Sequence, residues 1–264
     1  MSTPGRVTFL GTGTSQGVPV IGCGCRVCHS TDPRDKRLRP SICLEVPGQS
    51  VVLVDTTPDF RQQALTYGIR RLDAVLFTHA HADHILGFDD LRAFNQLQRA
   101  PIPCYANGFC FDILKRTFYY AFDGVPRLGG GVPEVHAHEV GAEPFVAGGV
   151  RIVPVPLWHG RMPILGYRFG NFAYLTDCNR IPDESWDRIA GVEILVIDGL
   201  RDEPHTTHFT VGEAVATIER LGPRRAYLTH MTHDLGYAET NARLPAGVEL
   251  AYDGLTLDVD VDID

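Results

Sequence analysis

The chain has 264 residues, 44% of them apolar and 21% charged, which fits a globular protein and excludes a disordered or collagen-like one. No apolar run is long enough for a membrane-spanning helix, and the start, Met1-Ser2-Thr3-Pro4-Gly5-Arg6, lacks a secretory pattern, so no membrane partner and a cytoplasmic location are expected. The net charge of −8 argues against a polyanion binder, and the basic run Arg34, Lys36, Arg37, Arg39, like Arg224-Arg225, reads as solvated surface.

Val7-Thr8-Phe9-Leu10 reads as a strand entering the glycine loop Gly11-Thr12-Gly13. Three of the seven cysteines follow in Cys23-Gly24-Cys25-Arg26-Val27-Cys28. Disulfides within so tight a run are strained, so metal ligation explains the crowding better. Residues 42–46 and 51–55 flank Pro47-Gly48-Gln49 as a hairpin, and residues 60–67 read as a helix stopped by Gly68. The apolar run 74–77 is a buried strand that ends at Thr78 and delivers His79-Ala80-His81-Ala82-Asp83-His84. His79 and His81 are two residues apart and can project the same way, while Asp83 and His84 come round on the following turn. Imidazole suits zinc and other transition metals, and the carboxylate adds affinity for harder ions such as manganese.

A helix within residues 86–97 places Leu91, Phe94 and Leu97 on one face; a strand over 101–106 and a helix around 112–118 follow. The stretch 123–133, with Gly129-Gly130-Gly131, reads as a loop or an arm over a partner subunit. Strands are expected over 150–155, 165–169, 172–177 and 194–198. Then come a helix over 211–221, capped by Thr210 and Glu213, and a strand over 226–230. Residues 252–257 close the pattern, and the Asp/Val tail 258–264 reads as a solvated strand end. Two halves, each strands first and then helices, point to two sheets packed face to face with helices outside. Cys43, Cys104, Cys110 and Cys178 read as small core residues.

Ligand-type residues recur where apolar strands give way to loops: His159 after residues 154–158, Asp177 after 174–176, His230 after 227–229. Such strand ends are where αβ folds place their chemistry. In its ordered series of His79-x-His81-x-Asp83-His84, His159, Asp177 and His230, the chain resembles the metallo-β-lactamase superfamily along essentially its whole length. The resemblance implies one α/β domain over 1–264, an αββα sandwich of two mixed sheets flanked by helices. It implies one ion at His79, His81 and His159, a second at Asp83, His84 and His230, and Asp177 bridging them.

Residues 9–13 with Gly17-Val18-Pro19 are similar to the phosphodiesterase branch of that superfamily, which includes the tRNA 3′-processing ribonucleases. The cysteine loop, about 22–29, is similar to that of the cyclic phosphodiesterases of the bacterial carbon–phosphorus lyase pathway. That likeness implies a structural zinc on Cys23, Cys25, Cys28 and His233; redox thiols, or His29 as the fourth ligand, are the alternatives. Three thiolates and an imidazole make a closed tetrahedral site. His208 matches the branch's non-ligand histidine that serves the leaving group, and His205 is the weaker candidate for the pocket.

The expected function is hydrolysis of a small, cyclic or open, phosphodiester by a hydroxide shared between two zinc or manganese ions, with His208 and Asp83 the residues that carry catalysis. A tRNA 3′-processing endoribonuclease, a lactone or thioester hydrolase, and a non-catalytic metal-binding regulatory module are the alternatives. A nucleic-acid partner is not expected, and a homodimer is the oligomer the resemblance suggests.

Overall fold

The computed structural model describes residues 2–125 and 131–263. The described residues form two seven-stranded sheets packed face to face. The first sheet holds β1 (Ser2–Gly11), β2 (Ser41–Val46), β3 (Ser50–Val54), β4 (Ala74–Leu76), β5 (Ile102–Ala106) and β6 (Val135–Glu139). The second holds β7 (Phe145–Ala147), β8 (Val150–His159), β9 (Met162–Phe169), β10 (Phe172–Leu175), β11 (Ile194–Asp198), β12 (Arg225–Thr229) and β13 (Val248–Leu250). The last strand, β14 (Thr256–Asp262), returns to the first sheet and pairs antiparallel with β1. The expected αββα metallo-β-lactamase sandwich is what the chain adopts.

Both faces of each sheet are covered, which is why the central strands read as unbroken apolar runs rather than alternating ones. In β11, Ile194 and Val196 face the other sheet, beside Val7, Phe9, Leu44 and Val54. Leu195 and Ile197 face outward, under α6 (Asp183–Ile189), α7 (Val211–Leu221) and α8 (Tyr237–Asn241). The first sheet is covered likewise by α1 (Phe60–Tyr67), α3 (Leu91–Gln98) and α4 (Gly108–Thr117). The short helices α2 (Ala82–Ile85) and α5 (Tyr119–Phe122) complete the set. Thr210 caps α7 and shares a capping box with Glu213, as the sequence predicted. Cys43, Cys104, Cys110 and Cys178 are all buried.

Four expectations change. Leu97 is 59% exposed, because a residue six positions after Leu91 lies about 240° round the helix; Asn95, four positions on, is buried instead. The tail is not a free strand end: Val259 and Val261 of β14 enter the core between the sheets while the aspartates face out. Arg37 is no surface residue, since its side chain is fully buried, and Arg39 is tied to Asp59 at 2.8 Å. The helix expected around 112–118 begins earlier, at the Asn107 cap, whose side chain accepts from the Cys110 N–H at 2.8 Å. The glycine-rich arm falls largely on residues 126–130, outside the described residues.

Strand direction explains the site's location. β3 and β4 run parallel, as do β10, β11 and β12, so their C-terminal ends share one edge. β8 reaches the same edge because two antiparallel steps, β8 to β9 and β9 to β10, restore its direction. Tyr167 Oη donates to the Phe77 carbonyl at 2.7 Å and the Leu165 N–H to Thr78 O at 3.0 Å, holding the two sheets in register beside it.

Candidate metal centre

At that edge the separated histidines and aspartates converge. Ligand atoms of His79, His81 and His159 lie within 4.8 Å of one another, and so do those of Asp83, His84, Asp177 and His230. Asp177 Oδ2 stands between the groups, 3.2 Å from His84 Nε2, 3.0 Å from His230 Nε2 and 3.8 Å from His79 Nε2. Asp83 Oδ2 is 3.4 Å from His84 Nε2 and 3.6 Å from His230 Nε2. Nitrogen and oxygen ligands of a tetrahedral zinc sit about 3.3 Å apart, so these separations suit a shared cation. Nε2 of His79 and Nδ1 of His230 are buried without a hydrogen-bond partner among the described residues, which favours ligation over a self-contained polar cluster.

The supporting bonds fix which nitrogen each ring presents. Asp55 accepts from the Thr78 N–H and hydroxyl, both at 2.8 Å, and from His84 Nδ1 at 2.8 Å. Thr78 has spent its proton on Asp55, so its oxygen accepts from His79 Nδ1 at 3.0 Å. His159 Nδ1 donates to the Thr207 carbonyl at 2.9 Å. All three rings therefore turn Nε2 inward, the carboxylate–histidine pattern of metal sites. Of the four non-glycine residues with positive φ among the described residues, Asp55, Asp177 and His230 belong here. Such conformations persist where the surroundings over-determine them.

Electrostatics divide the site. Burial pushes His79 well below the ordinary imidazole value and His159 down to about 4, so both are neutral and ready to bind a cation. Burial also works against charge on His84 and His230, yet Asp177 and Asp83 outweigh it, raising His84 strongly and His230 to about 10. Desolvation of Asp83 and Asp177 is likewise overcome by those imidazoles, and both carboxyls fall below their usual range. The carboxylate half thus holds protons where it wants positive charge, and a cation would displace them.

His208 lies against this centre, its ring edge-on to His159 at 4.6 Å and stacked on His230 at 4.7 Å. Its Nδ1 is 2.6 Å from Asp198 Oδ2. Burial raises Asp198 and lowers His208, so the pair holds one shared proton rather than two separated charges. His205 is exposed on the rim, its ring 5.0 Å from that of His208.

Cys23, Cys25 and Cys28 surround His233 Nδ1 at 3.2, 3.3 and 3.5 Å. A tetrahedral zinc with three thiolates and one imidazole needs sulfur and nitrogen about 3.6 Å apart. Backbone N–H groups of Cys25, Cys28 and Val20 point at Cys23, Cys25 and Cys28 sulfurs at 3.3–3.4 Å. The Cys28 N–H and the His233 ring are among the contacts that hold the Cys25 thiol down at about 6. His29 is exposed and lies outside the group.

Residues 51–231 match the beta-lactamase superfamily domain. The chain belongs to that superfamily. It is 46% identical to a crystal structure described as a new diphosphatase from the PhnP family, with a TM-score of 0.92 over 99% of both chains. It is also 38% identical, over 97% of its own length, to an octanoyltransferase of Porphyromonas gingivalis, but spans only 52% of that protein. Zn(2+)-bound PqqB from Methylobacterium extorquens shares the fold at a TM-score of 0.74 and 22% identity, over 96% of this chain and all of that one. Together with the clusters, the superfamily match and the likeness to the diphosphatase support divalent-cation binding and a metal-dependent hydrolase. Among the described residues no helix is long and apolar enough to cross a membrane.

Sequence reasoning passed over Asp55 and Asp198. Both end apolar strands as Asp177 does, in Val52-Leu53-Val54-Asp55 and Leu195-Val196-Ile197-Asp198. That repeated strand-end aspartate was the available signal.

Proposed function

We propose that the chain hydrolyses a small phosphodiester, cyclic or open. The observation that carries the assignment to phosphorus is the 46% identity, across 99% of both chains, to a diphosphatase. That same likeness favours a second reading on the same machinery, cleavage of the P–O–P link of a disubstituted diphosphate. The octanoyltransferase is about twice this chain's length, so its named activity has room in the part this chain does not match.

In this reading His79, His81 and His159 hold one divalent cation, Asp83, His84 and His230 a second, and Asp177 contacts both. Zinc or manganese suits the donors, and a structural zinc suits Cys23, Cys25, Cys28 and His233. When bound, such a pair would supply charge neutralisation at the phosphoryl oxygens and lower the pKa of a water nucleophile. The protein's own groups do the rest. Asp55 and Thr78 fix the His84 and His79 rings, and Asp198 orients His208 through Nδ1. His208 then presents its other nitrogen to donate a proton to the departing oxygen.

The test is a screen of bis-p-nitrophenyl phosphate, a cyclic nucleotide, a nucleoside-diphosphate sugar, a lactone and a thioester, with manganese or zinc. Turnover of the phosphorus substrates is expected. Turnover of the lactone or thioester alone, under every metal, would reject the assignment.

A further inference from the structure

Arg37 lies in neither donor cluster, yet it touches the segments that build both. Its backbone pairs with Val18, in the segment that leads into the cysteine loop and packs with Val27 and Cys28: Arg37 N–H donates to Val18 O at 2.7 Å and Val18 N–H to Arg37 O at 2.8 Å. Its buried guanidinium reaches the other way. Nη1 donates to Thr232 O at 2.8 Å, and Nη2 to Leu235 O at 2.6 Å and to Asp35 Oδ1 at 3.3 Å. Asp35 Oδ1 in turn accepts the Tyr237 N–H at 2.8 Å. A Cβ on Gly13 would stand only 2.9 Å from Arg37 Cβ, so the glycine loop is shaped to admit this residue.

The clamped segment carries His230 and His233, three residues apart, one in each cluster. His230 has φ 61°, a left-handed conformation that costs a residue with a side chain and needs neighbours to enforce it. Upstream of the clamp, Met231 N–H donates to Thr12 O and Thr14 N–H to Met231 O, each at 3.0 Å. Downstream, the Arg37 and Asp35 contacts hold residues 232–237. Moving His233 therefore moves His230 unless the clamp yields. A buried charged pair is a poor source of stability but a good source of register.

We propose that Arg37 is a positioning residue that couples the two clusters, so that a cation on Cys23, Cys25, Cys28 and His233 tightens cation binding at Asp83, His84, Asp177 and His230. Linkage makes the effect reciprocal, and coupling of this kind is worth about tenfold in affinity. It rests on the cation-binding reading above, but not on any substrate.

The experiment titrates the metal-free full-length chain with cobalt(II) and reads two optical signals. Thiolate-to-cobalt absorption reports the cysteine cluster, and the visible bands that lack it report the histidine–aspartate cluster. In the parent chain, the second cluster is expected to fill at about tenfold lower free cobalt once the thiolate band has saturated. The double variant Cys23→Ser/Cys25→Ser loses the thiolate band and weakens the distant cluster by the same factor. Arg37→Lys retains the charge and the thiolate band but loses the coupling. Independent filling in the parent overturns the proposal without reference to any variant's folding. So does a double variant that binds cobalt within twofold of the parent, or an Arg37→Lys protein whose coupling is undiminished. Absence of a thiolate band at any cobalt concentration overturns this proposal and the reading of the cysteines together, whereas failure of the phosphate screen touches only the proposed substrate.

Discussion

The two donor clusters solve the same problem by different means. The histidine–aspartate cluster is set on the ends of strands from both sheets, and all its members except His81 are buried. Three of its rings, those of His84, His79 and His159, are fixed by bonds to Asp55, Thr78 and the Thr207 carbonyl. The cysteine cluster sits on a loop whose apolar support is little more than Val18, Val27 and the partly buried Val20. The first geometry is imposed by strand ends, and the second by a loop whose backbone N–H groups point at its own sulfurs. Small loop-borne sites of that kind draw their folding free energy from the cation itself.

The contrast is broken most severely at Asp177, whose Oδ2 lies near His79, His84 and His230. Asp177→Ala is expected to remove cation binding from the histidine–aspartate cluster and reduce hydrolysis to background, while the cysteine cluster keeps its metal; elemental analysis with a rate assay checks both. His208→Ala should slow turnover about 10²- to 10⁴-fold with metal content unchanged, the signature of a lost proton donor rather than a lost ligand. Metal lost along with the rate would show that His208 is a ligand.

Asp55→Asn asks whether the strand-end cluster really owes its precision to its supporting bonds. Asparagine tolerates the left-handed backbone that Asp55 adopts at φ 65°, so the local turn survives. Its amide, however, offers N–H groups where the Thr78 hydroxyl and His84 Nδ1 need acceptors. Metal affinity at this cluster should fall about 10- to 100-fold, measured by competition with a chelator, while the cysteine cluster still takes up its metal.

The same contrast explains what could be read beforehand. His79 to His84 are legible because four donors share one short run, and Asp177 and His230 because each ends an apolar strand. The two-sheet architecture was legible because periodicity is local. Arg37 was misread because its partners, the carbonyls of Thr232 and Leu235, lie 195 and 198 positions away, and composition cannot reveal a pairing made only by folding. β14 was misread for the same reason, since Val261 faces the core only because β1, at the far end of the chain, pairs with it. β6 and β7 went unseen because they are short edge strands, and the residues of β6 are mostly exposed.

An effect on stability that changes with pH is expected at Asp253, which lies where the two regions join. Its carboxylate accepts from Thr12 Oγ1 at 2.8 Å and from the Leu38 N–H at 2.7 Å. Thr12 holds Met231 through its backbone, and Leu38 follows Arg37. Burial pushes Asp253 up to about 7, against the bonds from Leu38 and Thr12 and the nearby Arg37 charge, which favour its charged form. An acid raised on folding holds its proton in the native state while the unfolded chain has lost it. That stabilising contribution is complete below about pH 4 and is lost as pH rises through about 7, at no more than about 1.4 kcal/mol per pH unit. Asp253→Asn removes the titrating group. Its stability measured in urea should differ from the parent's by one constant below pH 4 and by another above pH 8, with the change falling between. An offset independent of pH would mean that Asp253 is ionised in the native protein and that the joint between the clusters is held by charge.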